Sequence, residues 1–312
     1  MSTNPTPIPD GDVVLTDGGI ETTLVFDDGF ELTDFAAFPL LDDADGRAAL
    51  IRYFERYAEI AVRDGVPLIL ETPTWRASAD WAARQGIDTG ELVRLNLDSV
   101  RLVREVAARF ATDRSPIVVS GCIGPRGDGY QVGDLMSVAE ARNYHGLQAR
   151  AFAEAGADLI TAITMTYRAE AHGVVEAARA AGLPVVISFT VETDGTLPSG
   201  EPLGASIEAI DAATDGYATH YMVNCAHPEH LAPALDPSAA WSRRLGGLRA
   251  NASRLSHAEL DDAEELDRGD ATELGGLYRL LRTSFPQVRV LGGCCGTDHT
   301  HVAAISAACV AA

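Results

Sequence analysis

Two cysteines stand side by side between glycines in Leu291-Gly292-Gly293-Cys294-Cys295-Gly296, just after the short apolar run Val288 to Leu291. Such neighbours are poor disulfide partners, because adjacent Cα atoms are about 3.8 Å apart whereas an ordinary disulfide wants roughly 4.4 to 6.8 Å. Soft thiolates at a strand end suit zinc, which takes sulfur in tetrahedral sites. A third thiol stands in Asn224-Cys225-Ala226-His227-Pro228. Cys225, Cys294 and Cys295 together leave one tetrahedral position open, the arrangement of a catalytic rather than a structural zinc. The plainer alternative is a small-residue turn with buried thiols. His227, His230, His299 and His301 lie nearby, and any of them would close the site, but they read better as surface or helix-capping residues. Cys122 reads as an ordinary thiol and Cys309 as part of an apolar final helix.

These residues need a scaffold, and the chain alternates short β-rich runs with longer helical patterns. Candidate strands are Val13 to Thr16, Pro67 to Glu71, Pro116 to Ser120, Asp158 to Ile163, Pro184 to Phe189, His220 to Val223, Leu245 to Arg249 and Val288 to Leu291. Between them, Asp45 to Asp64 and Asp88 to Phe110 carry apolar residues at helical spacing, and Gly65 stops the first. Ser137 and Glu140 form a capping box opening a helix to about Ala155, and the helix Ala169 to Ala181 ends at Gly182. Strand and helix in alternation mean parallel strands with right-handed crossovers. Eight such units predict an α/β protein with a single (β/α)8 TIM-barrel domain over 13–312, its site at the C-terminal strand ends. An open dinucleotide-binding sheet is disfavoured, since Asp17-Gly18-Gly19-Ile20-Glu21 does not match the glycine-rich turn that fold requires. Residues 1–12 read as a flexible leader. The acidic segment Ser256 to Thr272 reads as a solvated loop or surface helix, with a lid over the site as the alternative.

Composition removes whole classes of function. The net charge of -21 disfavours a nucleic-acid partner, which demands a basic face. The sequence contains no lysine, which excludes Schiff-base aldolases, pyridoxal phosphate enzymes and P-loop nucleotide hydrolases. No apolar run is long enough to span a membrane, and the odd set of cysteines suits a reducing compartment. A cytoplasmic protein is expected, acting on small molecules; association into a homo-oligomer is left open.

The motifs Asp17-Gly18-Gly19, Gly124-Pro125, Ile187-Ser188-Phe189-Thr190, Val223-Asn224-Cys225 and Gly292-Gly293-Cys294-Cys295-Gly296, in this order, resemble the homocysteine S-methyltransferase family. The resemblance runs from about Val13 to Ile305. It implies a zinc barrel in which Cys225, Cys294 and Cys295 hold Zn2+ and the substrate thiol takes the fourth place. It further implies methyl transfer from a sulfonium or quaternary ammonium donor to homocysteine, giving methionine, or to a related small thiol. By the same likeness Asp17 accepts the amino group of homocysteine and Asn251 occupies the place of a family asparagine; Gly18 and Gly19, lacking side chains, let backbone approach the ligand, and Asn224 orients Cys225 or its loop. Trp75, Trp81, Tyr130 and Tyr167 are candidate faces for a cationic donor.

One position departs from the pattern. Ile163 stands where the family carries a second acid for the amino group, and it cannot accept a hydrogen bond. Glu71 and Arg76, after the second strand, are the compensating candidates: either Glu71 takes over the amino contact or the acceptor differs, while Arg76 pairs with a substrate carboxylate or with Glu71 itself. Two rival functions remain on the residues alone, a zinc lyase or hydrolase and a non-enzymatic thiol or metal sensor.

Overall fold

The protein was analysed as a computed structural model that describes residues 7–261 and 265–310. Eight strands, β1 (Val14–Thr16), β2 (Leu68–Glu71), β3 (Ile117–Ile123), β4 (Leu159–Met165), β5 (Val185–Phe189), β6 (Tyr221–Asn224), β7 (Leu245–Ala250) and β8 (Val290–Gly293), pair in sequence order, and β8 returns to β1 to close the barrel. All these pairings are parallel, as crossover helices require. The helices are α1 (Ile20–Phe26), α2 (Ala44–Asp64), α3 (Ala79–Arg84), α4 (Thr89–Phe110), α5 (Val138–Ala155), α6 (Arg168–Ala181), α7 (Leu203–Thr214), α8 (Pro228–Leu231), α9 (His257–Asp261), α10 (Ala271–Ser284) and α11 (His299–Cys309). None of them is long and apolar enough to cross a membrane.

Local chemistry explains the helix ends. Gly65 and Gly182 close α2 and α6 in the left-handed region, at φ 66° and 75°. Asp88 caps α4, and the Ser137–Glu140 capping box opens α5. Five strands, β3, β4, β6, β7 and β8, end later than expected; in β3 and β4 the reason is that Gly121-Cys122 and Thr164 look like turn residues. Gly121 stays in β3 because the Phe152 ring of α5 occupies the place where a side chain would stand. On β4 the register shifts between Ala162 and Met165, a bulge that puts Thr164 at φ 63°.

The two-residue period sorts each strand between two environments. Leu68 and Leu70 join the large apolar core beneath the helices, while Ile69 joins an inner layer at the bottom of the barrel. That layer takes one apolar residue from each of seven strands and is completed by Ile8. The expected leader therefore ends early. Ile8 is only 3% exposed, and Arg289 donates to the carbonyls of Pro9 (2.6 Å) and Gly11 (3.1 Å), so the chain is anchored from Ile8 onward by burial and backbone contacts. Residues 1–6 lie outside the described residues.

One period higher the interior turns polar: Thr16, Glu71, Ser120, Thr161, Ser188, Asn224 and Arg249 are all buried. From this layer Glu71 and Arg249 reach the floor of the site. Replacing Ile8 by Ala should uncover the lower layer and cost about 2 kcal/mol, read as a lowered denaturant midpoint.

Candidate metal and substrate site

Cys225 follows β6, and Cys294 and Cys295 follow β8, with β7 between them. The amide of Cys225 donates to the carbonyl of Arg249 (3.1 Å) and that of Cys294 to the carbonyl of Ala250 (2.9 Å), so two successive residues of β7 hold both cysteine turns. The three sulfurs lie within 4.8 Å of one another and form the one cluster of three or more potential metal ligands among the described residues. Cys225 and Cys294 are joined as a disulfide with Cα atoms 5.4 Å apart, a pairing the sequence did not announce, and Cys295 Sγ is 3.9 Å from Cys225 Sγ. Thiolates about 2.3 Å from a tetrahedral metal sit about 3.8 Å apart, so the donor set fits a metal once the pair is reduced. A site that gathers thiolates this closely also brings them within disulfide reach.

The backbone beneath the sulfurs is held under strain. Cys225 has φ 52° and Thr164 φ 63°, conformations that side-chain-bearing residues rarely adopt. Asn224 restrains both: its Oδ1 accepts from the Thr164 amide (2.9 Å) and the Ser188 hydroxyl (2.6 Å), while its Nδ2 donates to Thr164 Oγ1 (2.9 Å) and points at Cys294 Sγ (3.7 Å). Asn251 donates to the carbonyl of Cys225 at 3.2 Å. Neither asparagine lines the cavity; both stand behind the cysteine turns and hold them, Asn224 in the orienting role expected of it. Gly18 and Gly19 do line the cavity, yet their missing side chains serve packing, since a Cβ on Gly19 would meet the Cys294 carbonyl and one on Gly18 the Tyr57 hydroxyl.

The cavity, about 400 Å3, opens above these residues. At its floor Asp17 and Glu71 flank Arg249, which sequence reasoning had placed only as the last residue of a strand. Arg249 Nη2 donates to Asp17 Oδ1 at 2.5 Å, its Nη1 is 3.6 Å from Glu71 Oε1, and the Glu71 amide donates to Asp17 Oδ2 at 3.1 Å. Burial pulls the Arg249 pKa down, but the two carboxyl groups outweigh it and leave it raised. Burial pushes Glu71 up to about 8, against the pull of Arg249 and with the push of Asp17. Burial raises the Asp17 carboxyl as well, against the pull of Arg249 and the Glu71 amide, so two buried carboxyl groups share one guanidinium at the floor. Ile163 lines the same cavity, as the sequence placed it.

Arg76 does not pair with Glu71 among the described residues. Its guanidinium lies 3.6 Å over the Trp81 ring and 4.4 Å from the Trp75 ring, with Asp128 3.8 Å away, and its Nε is buried without a partner. Trp75 and Tyr130 line the cavity; Trp81 supports Arg76 from outside it, and the Tyr167 hydroxyl accepts from the Met136 amide instead. A Cβ on Gly124 would strike Trp75, which accounts for the glycine of Gly124-Pro125. Tyr130 Oη is 3.5 Å from Cys295 Sγ, and its ring stacks on His257 at 4.1 Å.

His257 belongs to the acidic segment, whose described residues are in part exposed, as expected, and in part turned to the site. Its Nε2 contacts the Cys225 carbonyl at 2.8 Å, and Leu260, Leu266 and Asp267 form part of the cavity wall, because the segment covers apolar surface over the site. His227 caps α8 and His301 shares a capping box with Asp298; neither they nor His230 and His299 join the sulfur cluster. Cys122 lines the cavity but stays outside the cluster, and Cys309 packs against the core from α11.

Two outcomes follow from this arrangement. Between pH 4.5 and about 8 the folded protein holds a proton on Glu71 that the unfolded chain releases, so this group stabilises fully below 4.5 and its contribution fades as pH rises through 8. Glu71→Gln should flatten that part of the profile of denaturant midpoint against pH. Asn224→Ala should weaken metal binding by about 10- to 100-fold, measured by competition with a chromophoric chelator.

Comparison with known proteins places the chain. Residues 14–309 match the model of the family described as Homocysteine S-methyltransferase. Homocysteine S-methyltransferase 1 of Arabidopsis thaliana is 24% identical over 327 residues, covering 95% of this chain and 93% of its own length. Homocysteine S-methyltransferase 4 of Zea mays is 23% identical over 258 residues, covering 77% of this chain and 75% of its own. The barrel is also similar to the homocysteine methyltransferase MmuM from Escherichia coli, with TM-scores of 0.78 for its oxidized form and 0.76 for its metallated form, each at 22% identity over 95% of this chain and 96% of that one. At that identity the structural likeness speaks for the fold; the family match over nearly the whole chain carries more. The chain belongs to the homocysteine S-methyltransferase family.

Proposed function

We propose that the protein transfers a methyl group from a sulfonium or quaternary ammonium donor to the thiol of homocysteine, giving methionine, with Zn2+ held by Cys225, Cys294 and Cys295. The observation that carries this reading is the convergence of three sulfurs within 4.8 Å on the wall of a cavity, in a chain of this family. When bound, zinc supplies the Lewis acidity that keeps an acceptor thiol deprotonated near neutral pH, where a free thiol with a pKa near 8.5 is mostly protonated.

The chain's own residues supply position and a dry environment. The acceptor sulfur attacks the methyl carbon in line with the departing atom; the new S–C bond forms as the old bond breaks, and its electron pair stays with the sulfur or nitrogen that was positive. The donor leaves neutral, so no general acid is required. Trp75 and Tyr130 present aromatic surface to the cationic donor, and Tyr130 reaches Cys295, so the two reactants meet beside the cysteine turns. Arg76, stacked on Trp81 with an unpartnered Nε, is the group for a substrate carboxylate. Leu260 and Leu266 keep water from the reacting atoms.

Cys294→Ala and Cys295→Ala should each abolish stoichiometric zinc and methionine formation under reducing conditions with homocysteine and a panel of S-methylmethionine, S-adenosylmethionine, betaine and dimethylsulfonium donors. A variant that keeps full zinc and full transfer overturns the site. Turnover of a non-thiol substrate with no methylation would indicate a lyase or hydrolase instead.

A further inference from the structure

The floor of the cavity poses a problem for an acceptor that is an amino acid. Asp17 is the acid expected to receive its ammonium group, but both carboxylate oxygens are occupied: Oδ1 by Arg249 Nη2 at 2.5 Å and Oδ2 by the Glu71 amide at 3.1 Å. Glu71 stands 3.6 Å from the same guanidinium, and Ile163 offers nothing polar. An ammonium entering here would face a buried arginine that already uses the negative charge. The internal guanidinium thus leaves less of the Asp17 charge for a substrate's cation.

Two carboxylates in the cavity wall, Glu21 and Glu265, are not committed in this way, and Glu265 is exposed whereas Glu21 is the more enclosed. Glu21, in the first turn of α1, is half-buried and lines the cavity; among the described residues its carboxylate has no side-chain hydrogen-bond or ion-pair partner. Burial pushes its carboxyl up to about 7, with Arg76 pulling the other way, so the site holds a carboxylate that gains from a cation beside it. Its position is set by the metal turn. Gly19 packs on the Cys294 carbonyl, and Thr22 Oγ1 accepts from the Gly296 amide at 3.3 Å, so Glu21 rides on an element seated directly against Cys294 and Cys295. In homocysteine two methylenes separate the sulfur from the α-carbon, which puts the ammonium about 4 to 6 Å from the sulfur. A contact for that ammonium must come from an element beside the cysteines, and α1 is such an element.

We propose that Glu21 is the specificity-determining residue that receives the ammonium group of the acceptor amino acid, with Arg76 on the same cavity taking its carboxylate. The inference rests on the methyltransferase reading and assigns its acceptor: a zwitterionic α-amino-acid thiol, held at its charged end by a carboxylate and a guanidinium in opposition. Glu71 is then a partner of Arg249 and makes no substrate contact.

The test compares homocysteine with 4-mercaptobutanoate, which has the same thiol, chain and carboxylate but no amino group, on the zinc-loaded reduced protein. Wild type should prefer homocysteine. Glu21→Gln should lower kcat/KM for homocysteine by about 30-fold or more while changing 4-mercaptobutanoate by less than about 3-fold, and Glu21→Asp should restore part of the preference. Calorimetric binding of the two thiols without any donor should show the same selective loss. Glu71→Gln should keep the preference. The proposal is overturned if Glu21→Gln still discriminates, if Glu71→Gln erases the discrimination, if wild type binds both thiols equally, or if Glu21→Gln impairs only an amino-acid donor such as S-methylmethionine. Should wild type transfer no methyl group to any thiol, the methyltransferase reading fails while the binding comparison still decides for or against Glu21.

Discussion

Two backbone hydrogen bonds from successive carbonyls of β7, at Arg249 and Ala250, to the amides of Cys225 and Cys294 are what the site depends on. They exist because the barrel closes with β7 between β6 and β8, in a register that sets Asn224 against Arg249 and Ala250 against Gly293. Shifted by one residue, the same strands would turn the cysteine loops toward the helices. Three sulfurs that are 69 residues apart or adjacent in sequence thus become neighbours through a ladder that contains none of them. The strain at Cys225 and Thr164 is tolerated because Asn224, Asn251 and His257 over-determine those backbones from three sides.

The same strand end carries Arg249, and its side chain organises the charge in the cavity. A guanidinium buried this deeply would be costly alone; Asp17 and Glu71 compensate it, and the Gly293 and Gly18 carbonyls take further donors at 3.1 and 3.2 Å. One residue therefore ties β1, β2, β7 and β8 together at the floor. An acid paired with an internal cation has less charge to offer an external one, which is why the proposed contacts with the acceptor fall to Glu21 and Arg76.

Much of the fold was legible in the sequence. Alternating short apolar runs and helical patterns, with Gly65, Gly182 and the Ser137 box at the boundaries, locate the strands and the principal helices because period and capping are local properties. Where local chemistry misleads, packing is the reason: Gly121 remains in β3 because Phe152 fills its empty side-chain place, Thr164 remains in β4 through a bulge tied to Asn224, and Ile8 belongs to the barrel because seven strands leave a gap that an apolar residue closes. The acidic segment near His257 looked solvent-facing by composition; its histidine and leucines are the part that reaches the site.

By itself the sequence determined the chemistry on offer: three thiols at strand ends with the spacing of a metal grip, no lysine for amine catalysis, and an isoleucine where an acid was expected. Residue type decides softness, charge and hydrogen-bonding capacity, and no fold can alter those. Only the tertiary structure decided which groups are free to use that capacity. Arg249 was one more residue in a strand until closure of the barrel aimed it between Asp17 and Glu71, and Glu21 was one more acid in a turn until the glycines before it let α1 settle against Cys294. Pairing between side chains 232 and 178 residues away from their partners depends on strand register and barrel closure, which no local pattern encodes.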